Sequence, residues 1–410
     1  MNATSASIDA VTPEPAGSRR AAPAVLALSM IAAMFDGFDG QAIGFVSPAI
    51  AADWRLPKAE FGMIFSVGLV GLIIGAVLVA PLGDRLGRRA VAIAGAVFVA
   101  VFTLLTALVR TPVELAAVRM LTGIGLGTLM PVLVTIAHEA APEKLKGVFV
   151  TLLVTAFPFG SFVGGMGVAW GLQHGSWRDV FLAAGLVALM FPLLFWLFLW
   201  PAPVPKRDAA VAPKTTVLTL FRERRWVPTS LLWTLFFASL LNTYMLGAWL
   251  PLLLERGGLD AAQAVRTTAG FGLGGTIGGI VLGLLAARFG GRILALAYVI
   301  AAIALVAIGL ADGALMATTL LAALVGAMIP GGHVGNNVIA ARIYPAVMNA
   351  TGVGWAQGLG RVGCVVGPAA VGLAVGRDVS NAAIFAGSAC IALLGAAAAM
   401  GIAVYERGQA

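Results

Sequence analysis

Charge is what this sequence has least of. Only 11% of its 410 residues are Asp, Glu, Lys or Arg, while 60% are apolar. Soluble domains carry about 25% charged and roughly 45–50% apolar residues. A chain this bare could not cover a water-facing surface, which excludes an ordinary cytosolic enzyme and a disordered chain. Its net charge of +8 would suit nucleic acid only if the basic residues formed a patch on a soluble face. Here they punctuate long apolar runs instead, so no nucleic-acid partner is expected. Cysteine is scarce as well. Cys364 and Cys390 both lie inside apolar stretches, so neither a disulfide framework nor a zinc or redox motif is implied. Metal-ligand spacing and a phosphate-binding loop in a soluble context are missing too. No cofactor, no metal and no enzyme chemistry are expected, and ATP is not expected to drive the protein.

The apolar runs themselves are the main signal. A helix crosses about 30 Å of hydrocarbon in about 20 residues. Twelve segments qualify: 22–47, 58–82, 90–110, 112–138, 147–172, 177–200, 226–254, 261–289, 291–311, 315–343, 346–375 and 378–404. The breaks are short, apart from the Pro- and Arg-rich stretch 201–225, which divides six spans from six. The expected organisation is a disordered cytoplasmic N-terminus 1–21, a first half 22–200, a cytoplasmic linker 201–225, a second half 226–404 and a cytoplasmic tail 405–410. Seventeen Lys and Arg fall on the side of both termini and the linker, seven on the other, and Arg119 and Arg361 inside spans. Cytoplasmic segments are enriched in Lys and Arg, so both termini are expected in the cytoplasm.

An internal repeat supports two halves. Asp84-Arg85-Leu86-Gly87-Arg88-Arg89 follows span two, and Ala287-Arg288-Phe289-Gly290-Gly291-Arg292 follows span eight, 203 residues later. Homologous six-helix halves are an organisation expected of transporters. Glycine clusters on spans two, five, eight and eleven. Small residues let helix backbones approach closely in lipid, so these spans are expected to form the contact between halves.

These features resemble the major facilitator superfamily. Asp36-Gly37-Phe38-Asp39 on span one, Arg119 to Gly127 with Pro131 and Glu139 on span four, and Thr351-Gly352-Val353-Gly354-Trp355 on span eleven are together similar to its aromatic acid:proton symporter family. The resemblance covers almost the whole chain. It implies an all-α integral membrane protein of twelve transmembrane helices in two pseudo-symmetric six-helix halves. It implies a monomer in the lipid of a bacterial inner membrane that imports a small aromatic carboxylate, such as a hydroxybenzoate, together with protons. Three positions depart from the family pattern: Ala80 opens the turn motif, Ala287 replaces an aspartate in its second copy, and Met348-Asn349 stands where a basic residue is usual.

Charges inside the hydrocarbon cost at least about 2.5–3.5 kcal/mol each, so they are paired or functional. Asp36 and Asp39 share one face of span one. Counting rises from span midpoints puts Asp39 and Arg119 at similar depth, roughly 7 and 9 Å from the midplane. An Asp39–Arg119 pair could couple transport to protons, since a carboxylate that loses its guanidinium can take a proton. The alternative is a pair that serves helix assembly alone. Arg361 could bind a substrate carboxylate bidentately, or brace the halves through Asp36. Asn242, Tyr244, His333, Asn336 and Asn337 fall near the midplane on spans that line the cavity in the resembled superfamily, and are candidate substrate contacts. Phe38, Phe157 and Trp355 could supply ring faces. Asp84, Arg85, Arg88, Arg89 and Glu139 are candidate gating residues. A proton-driven exporter and a non-transporting membrane sensor are the alternative readings.

Overall fold

The computed structural model describes residues 16–199, 217–221, 225–311 and 314–407. Among them, twelve helices are long and apolar enough to cross a membrane: Pro23–Trp54, Lys58–Leu86, Arg88–Thr106, Pro112–Ala140, Lys146–His174, Trp177–Phe198, Trp226–Arg256, Ala261–Phe289, Gly291–Gly309, Leu315–Ile343, Thr351–Gly376 and Asn381–Arg407. They are numbered here as spans one to twelve.

The first helix is longer than the sequence suggests. It opens at Ala16 and runs through Pro23 and Pro48 to Trp54. Of the segment expected to be disordered, 1–21, residues from Ala16 are therefore helical, as the helix-forming Ala and Arg there favour. Residues 1–15 lie outside the described ones. Most of the linker 201–225 lies outside them as well, apart from a short 3-10 turn, Val217–Phe221, and Arg225. The last helix continues to Arg407, into the expected tail, and 408–410 lie outside the described residues.

Two spans are interrupted where the sequence dictates it. Span two loosens into a π turn at Gly75–Val79 ahead of Pro81. Span ten breaks at Ile329, just before Pro330, whose ring removes a helical N–H and crowds the preceding turn.

The repeat seen in the turn motif extends to the packing. Gly71 and Gly75 lay span two against the Met120 and Ile124 carbonyls of span four, and a methyl at either glycine would overlap them. The equivalent contact recurs 203 residues on, where Gly274 and Gly278 of span eight meet the Ala323 and Ala327 carbonyls of span ten. Gly160 and Gly164 place span five on Met34 and Phe38, while Gly363 and Gly367 place span eleven on Phe237 and Leu241, again at the same offset. Most of the clustered glycines thus build the inside of each half. The four spans also form the contact between halves, as expected: span five packs on span eight and span two on span eleven.

The halves do meet through small residues, but at fewer points. Gly62 of span two and Gly372 of span eleven approach so closely that a Cβ on either would stand 2.7 Å from the other's Cα. Spans five and eight meet at Gly165 with Ala269 and at Gly272 with the Pro158 carbonyl. Near the first crossing, the Ser66 hydroxyl donates to the Val365 carbonyl at 3.0 Å. Lys58 pairs with Glu255 across the halves at 2.7 Å. Trp249, fully buried, donates from Nε1 to the Pro368 carbonyl at 3.0 Å and stands edge-on to Phe65. The end of the bundle that carries Lys58 is therefore shut.

At the opposite end, the turn after span two keeps its charge within its own half. Arg88 pairs with Glu139 and, at 3.7 Å, with Asp84. Arg89 donates to the Trp196 carbonyl, and Asp84 and Arg85 are exposed. Gly87, at φ +92°, sits in a backbone region that L side chains avoid. The second half solves the same turn differently. Arg342, which stands 203 residues after Glu139, donates to the Ala286 and Ala287 carbonyls at the end of span eight. A cation there complements the negative end of the helix dipole, so the copy does without the acidic residue that Ala287 replaces.

Candidate functional site

Span one turns two carboxylates toward the interior. Asp39 is fully buried. Arg119 of span four approaches its Oδ1 with Nη1 at 3.4 Å and donates from Nη2 to its backbone carbonyl at 2.7 Å. The Thr103 hydroxyl donates to the same Oδ1 at 3.3 Å. Asp39 Oδ2 is buried with no hydrogen-bond partner among the described residues. The pair expected from matched depth is thus present, and Arg119 grips backbone as well as side chain. The guanidinium also lies 5.7 Å from the Phe181 ring centre, where ring and cation attract.

Asp36, one turn earlier, is buried and borders a small cavity between Phe35, Leu126, Phe191 and Phe195. It lies within Coulombic reach of Asp39 and of Arg361 from the other half. The Phe157 ring stays beside this face of span one, 3.9 Å from where a Cβ on Gly40 would stand.

Arg361 of span eleven is half-buried, and its Nη1 is buried with no partner among the described residues. Besides Asp36, it lies within Coulombic reach of Tyr244, His333 and Cys364. His333 Nδ1 is 3.5 Å from Ser239 Oγ, and its ring stands edge-on to Phe236. Asn337, one turn beyond His333, donates back to the His333 carbonyl at 2.9 Å. Gln357, one turn before Arg361, donates from Nε2 to Asn337 Oδ1 at 2.9 Å. Spans seven, ten and eleven thus bring polar side chains together near one guanidinium, which is also within Coulombic reach of the Asp36 carboxylate of span one.

Four of the expected contacts lie elsewhere. Asn242 is buried against span twelve, donating to the Ser388 carbonyl at 3.2 Å and accepting from its hydroxyl at 2.8 Å. Asn336 donates to the Tyr298 hydroxyl of span nine at 2.9 Å. Phe38 packs on Gly164, and Trp355 stacks on Trp233 while remaining half-exposed. Each sits on the correct span but on a different side of it, because successive helical residues turn by about 100°.

Sequence reasoning passed over three members of the site. Ser239 could have been found from the repeat, since it stands 203 residues after Asp36. Thr103 and Gln357 carried no such signal, because polar residues near span centres are not distinctive singly. In chemical terms, a guanidinium with a free N–H in a half-buried, mostly neutral setting can hold a carboxylate, and its planar fork suits bidentate contact.

Known proteins are similar to this chain over most of its length. The family model described as the Major Facilitator Superfamily matches residues 29–368. The chain is 35% identical over 375 residues to a gallate transporter of Pseudomonas putida, covering 84% of this chain and 83% of the relative. It is 32% identical to a 4-hydroxybenzoate transporter of Acinetobacter baylyi, covering 81% and 80%. It is 30% identical to a 3-(3-hydroxy-phenyl)propionate transporter of Escherichia coli, covering 92% and 93%. Among solved structures, an inward-facing, occupied bacterial homolog of the human lysosomal transporter Spinster superposes with a TM-score of 0.74 at 16% identity, covering 94% of this chain and 97% of that one. The chain therefore belongs to the Major Facilitator Superfamily, within its family of aromatic acid transporters, and is a multi-pass membrane transporter rather than an enzyme.

Proposed function

We propose that this protein is a proton-coupled symporter that imports a small aromatic carboxylate, such as a hydroxylated benzoate, by alternating access. The observation that carries the reading is Arg361, whose buried Nη1 has no partner among the described residues and which lies within Coulombic reach of Asp36, Tyr244 and His333. A carboxylate bound there gives the guanidinium its missing partner, and the Phe157 ring lies beside span one at Gly40, one turn from Asp36. The names of the gallate, 4-hydroxybenzoate and hydroxyphenylpropionate relatives support the substrate class.

Asp39, Arg119 and Asp36 form the proton-coupling group in this reading. Arg119 holds Asp39 through both side chain and backbone. A substrate anion that draws on the same positive field leaves one carboxylate free to take a proton. In this reading the membrane is a bacterial inner membrane, and the excess of Lys and Arg supports a cytoplasmic Arg88 end, with both termini and the linker on that side. The Lys58 end then faces outward and is closed, and Asp84, Arg85, Arg88, Arg89 and Glu139 act at the inner gate. The protein works as a monomer.

The test is uptake into proteoliposomes of purified protein under an imposed pH gradient, acid outside. Accumulation of a labelled hydroxybenzoate that collapses with a protonophore is expected. Uptake that ignores the gradient sinks the coupling. Efflux driven by inward proton flow identifies an exporter instead.

A further inference from the structure

We infer that Gln357 and Asn337 are specificity-determining residues that read a hydroxyl on the substrate ring. The inference rests on the preceding reading of Arg361 as the anchor for the carboxylate.

The spacing carries the argument. Gln357 is one helical turn from Arg361 on span eleven, and Asn337 is one turn from His333 on span ten. One turn of four residues advances about 6 Å along the axis, close to the length of a benzoate from its carboxylate to a hydroxyl across the ring. A benzoate anchored at Arg361 and lying along span eleven brings its far edge to the Gln357–Asn337 pair.

The hydrogen-bond inventory points the same way. A primary amide offers two donors and a carbonyl with two lone pairs. Gln357 uses one N–H on Asn337 Oδ1, and Asn337 uses one N–H on the His333 carbonyl. Gln357 Oε1 accepts no hydrogen bond among the described residues, and both side chains are half-buried. The pair is thus held in place by its own contacts and still has an acceptor and donors to spare. A phenolic hydroxyl can donate to Oε1 and accept from an amide N–H. An unsubstituted ring can do neither, and it displaces the water that otherwise serves these groups. Sites that hydrogen-bond a substrate hydroxyl reject analogues lacking it more strongly than apolar pockets reject an extra group. Because this pair is only half-buried, the expected discrimination is moderate, about tenfold.

Counterflow competition in proteoliposomes tests this with three acids: benzoate, 4-hydroxybenzoate and 3,4,5-trihydroxybenzoate. Wild type is expected to prefer the hydroxylated acids. Gln357→Leu is expected to weaken them about tenfold more than it weakens benzoate, so that the preference collapses. Asn337→Ser reads the same contact if Gln357→Leu does not assemble, and is expected to lower the preference too. An unchanged ratio in Gln357→Leu and Asn337→Ser, an equal loss for all three acids, or a wild type that does not discriminate overturns the inference. A wild type that transports none of the three overturns the substrate class proposed above, and this inference with it.

Discussion

Lys58 and Glu255 meet at 2.7 Å with each side chain about one-third exposed, one on span two and one on span seven. They are the charged contact at the crossing where Gly62 meets Gly372. An ion pair this exposed contributes at most about 1 kcal/mol. Alternating access moves between states of similar energy, so even that much shifts their populations several-fold. Lys58→Glu puts two carboxylates together and is expected to slow or speed counterflow several-fold by destabilising the closed Lys58 end. The swap Lys58→Glu with Glu255→Lys is expected to restore the wild-type rate. A double variant no better than the worse single variant refutes the pairing as the cause.

Asp39 and Arg119 make a more costly pair, because both are buried. Removing one partner of a buried ion pair costs about 3–5 kcal/mol by stranding the other. Arg119→Ala strands Asp39 and is expected to lower the melting temperature of the purified protein sharply. Asp39→Asn is milder, since Arg119 keeps its bond to the Asp39 carbonyl. The expected phenotype is a folded protein that still exchanges substrate but no longer accumulates it against a pH gradient. Full pH-driven accumulation by Asp39→Asn removes Asp39 from the coupling.

The halves, the repeat and the buried charges were legible because each leaves a one-dimensional trace. Span length follows from bilayer thickness, and the 203-residue offset holds for glycine contacts as well as for the turn motif. What the trace could not carry was azimuth. Asn337 and Asn336 are adjacent in sequence, yet one bonds Gln357 and the other Tyr298. Asn242, the repeat counterpart of Asp39, bonds Ser388 of span twelve and carries no charge. The two repeats share their packing and differ in their ionisable groups: Asp36 answers to Ser239, Asp39 to Asn242 and Pro158 to Arg361. Carboxylates are thus concentrated at the centre of the first half and the guanidinium of the site at that of the second, an asymmetry visible only once the offset is applied position by position.

That shared packing makes its own prediction. Gly75 and Gly278 occupy equivalent crossings, and a methyl on either would overlap a carbonyl, at Ile124 and Ala327 respectively. A Cβ on Gly387 would meet nothing within 4 Å. Overpacking typically costs about 1–3 kcal/mol. Gly75→Ala and Gly278→Ala are expected to lower thermal stability in detergent by similar amounts, and Gly387→Ala to leave it unchanged. Equal melting temperatures across the three variants rule out close backbone approach as the reason for these glycines.

Arg361 offers the sharpest test of the substrate site, because its two candidate roles predict opposite results in one variant. Lysine keeps the positive charge but lacks the planar fork that grips a carboxylate at two points. If Arg361 only braces the halves through the field it shares with Asp36, Arg361→Lys preserves that attraction and leaves apparent affinity near wild type. If it anchors the substrate, losing one charge-assisted hydrogen bond of about 1.5–3 kcal/mol weakens affinity by roughly tenfold or more. The expected outcome is the second, measured as the half-saturating concentration in counterflow with folding checked by melting temperature. Arg361→Gln is expected to be weaker still, since it removes the charge that draws the anion to the centre.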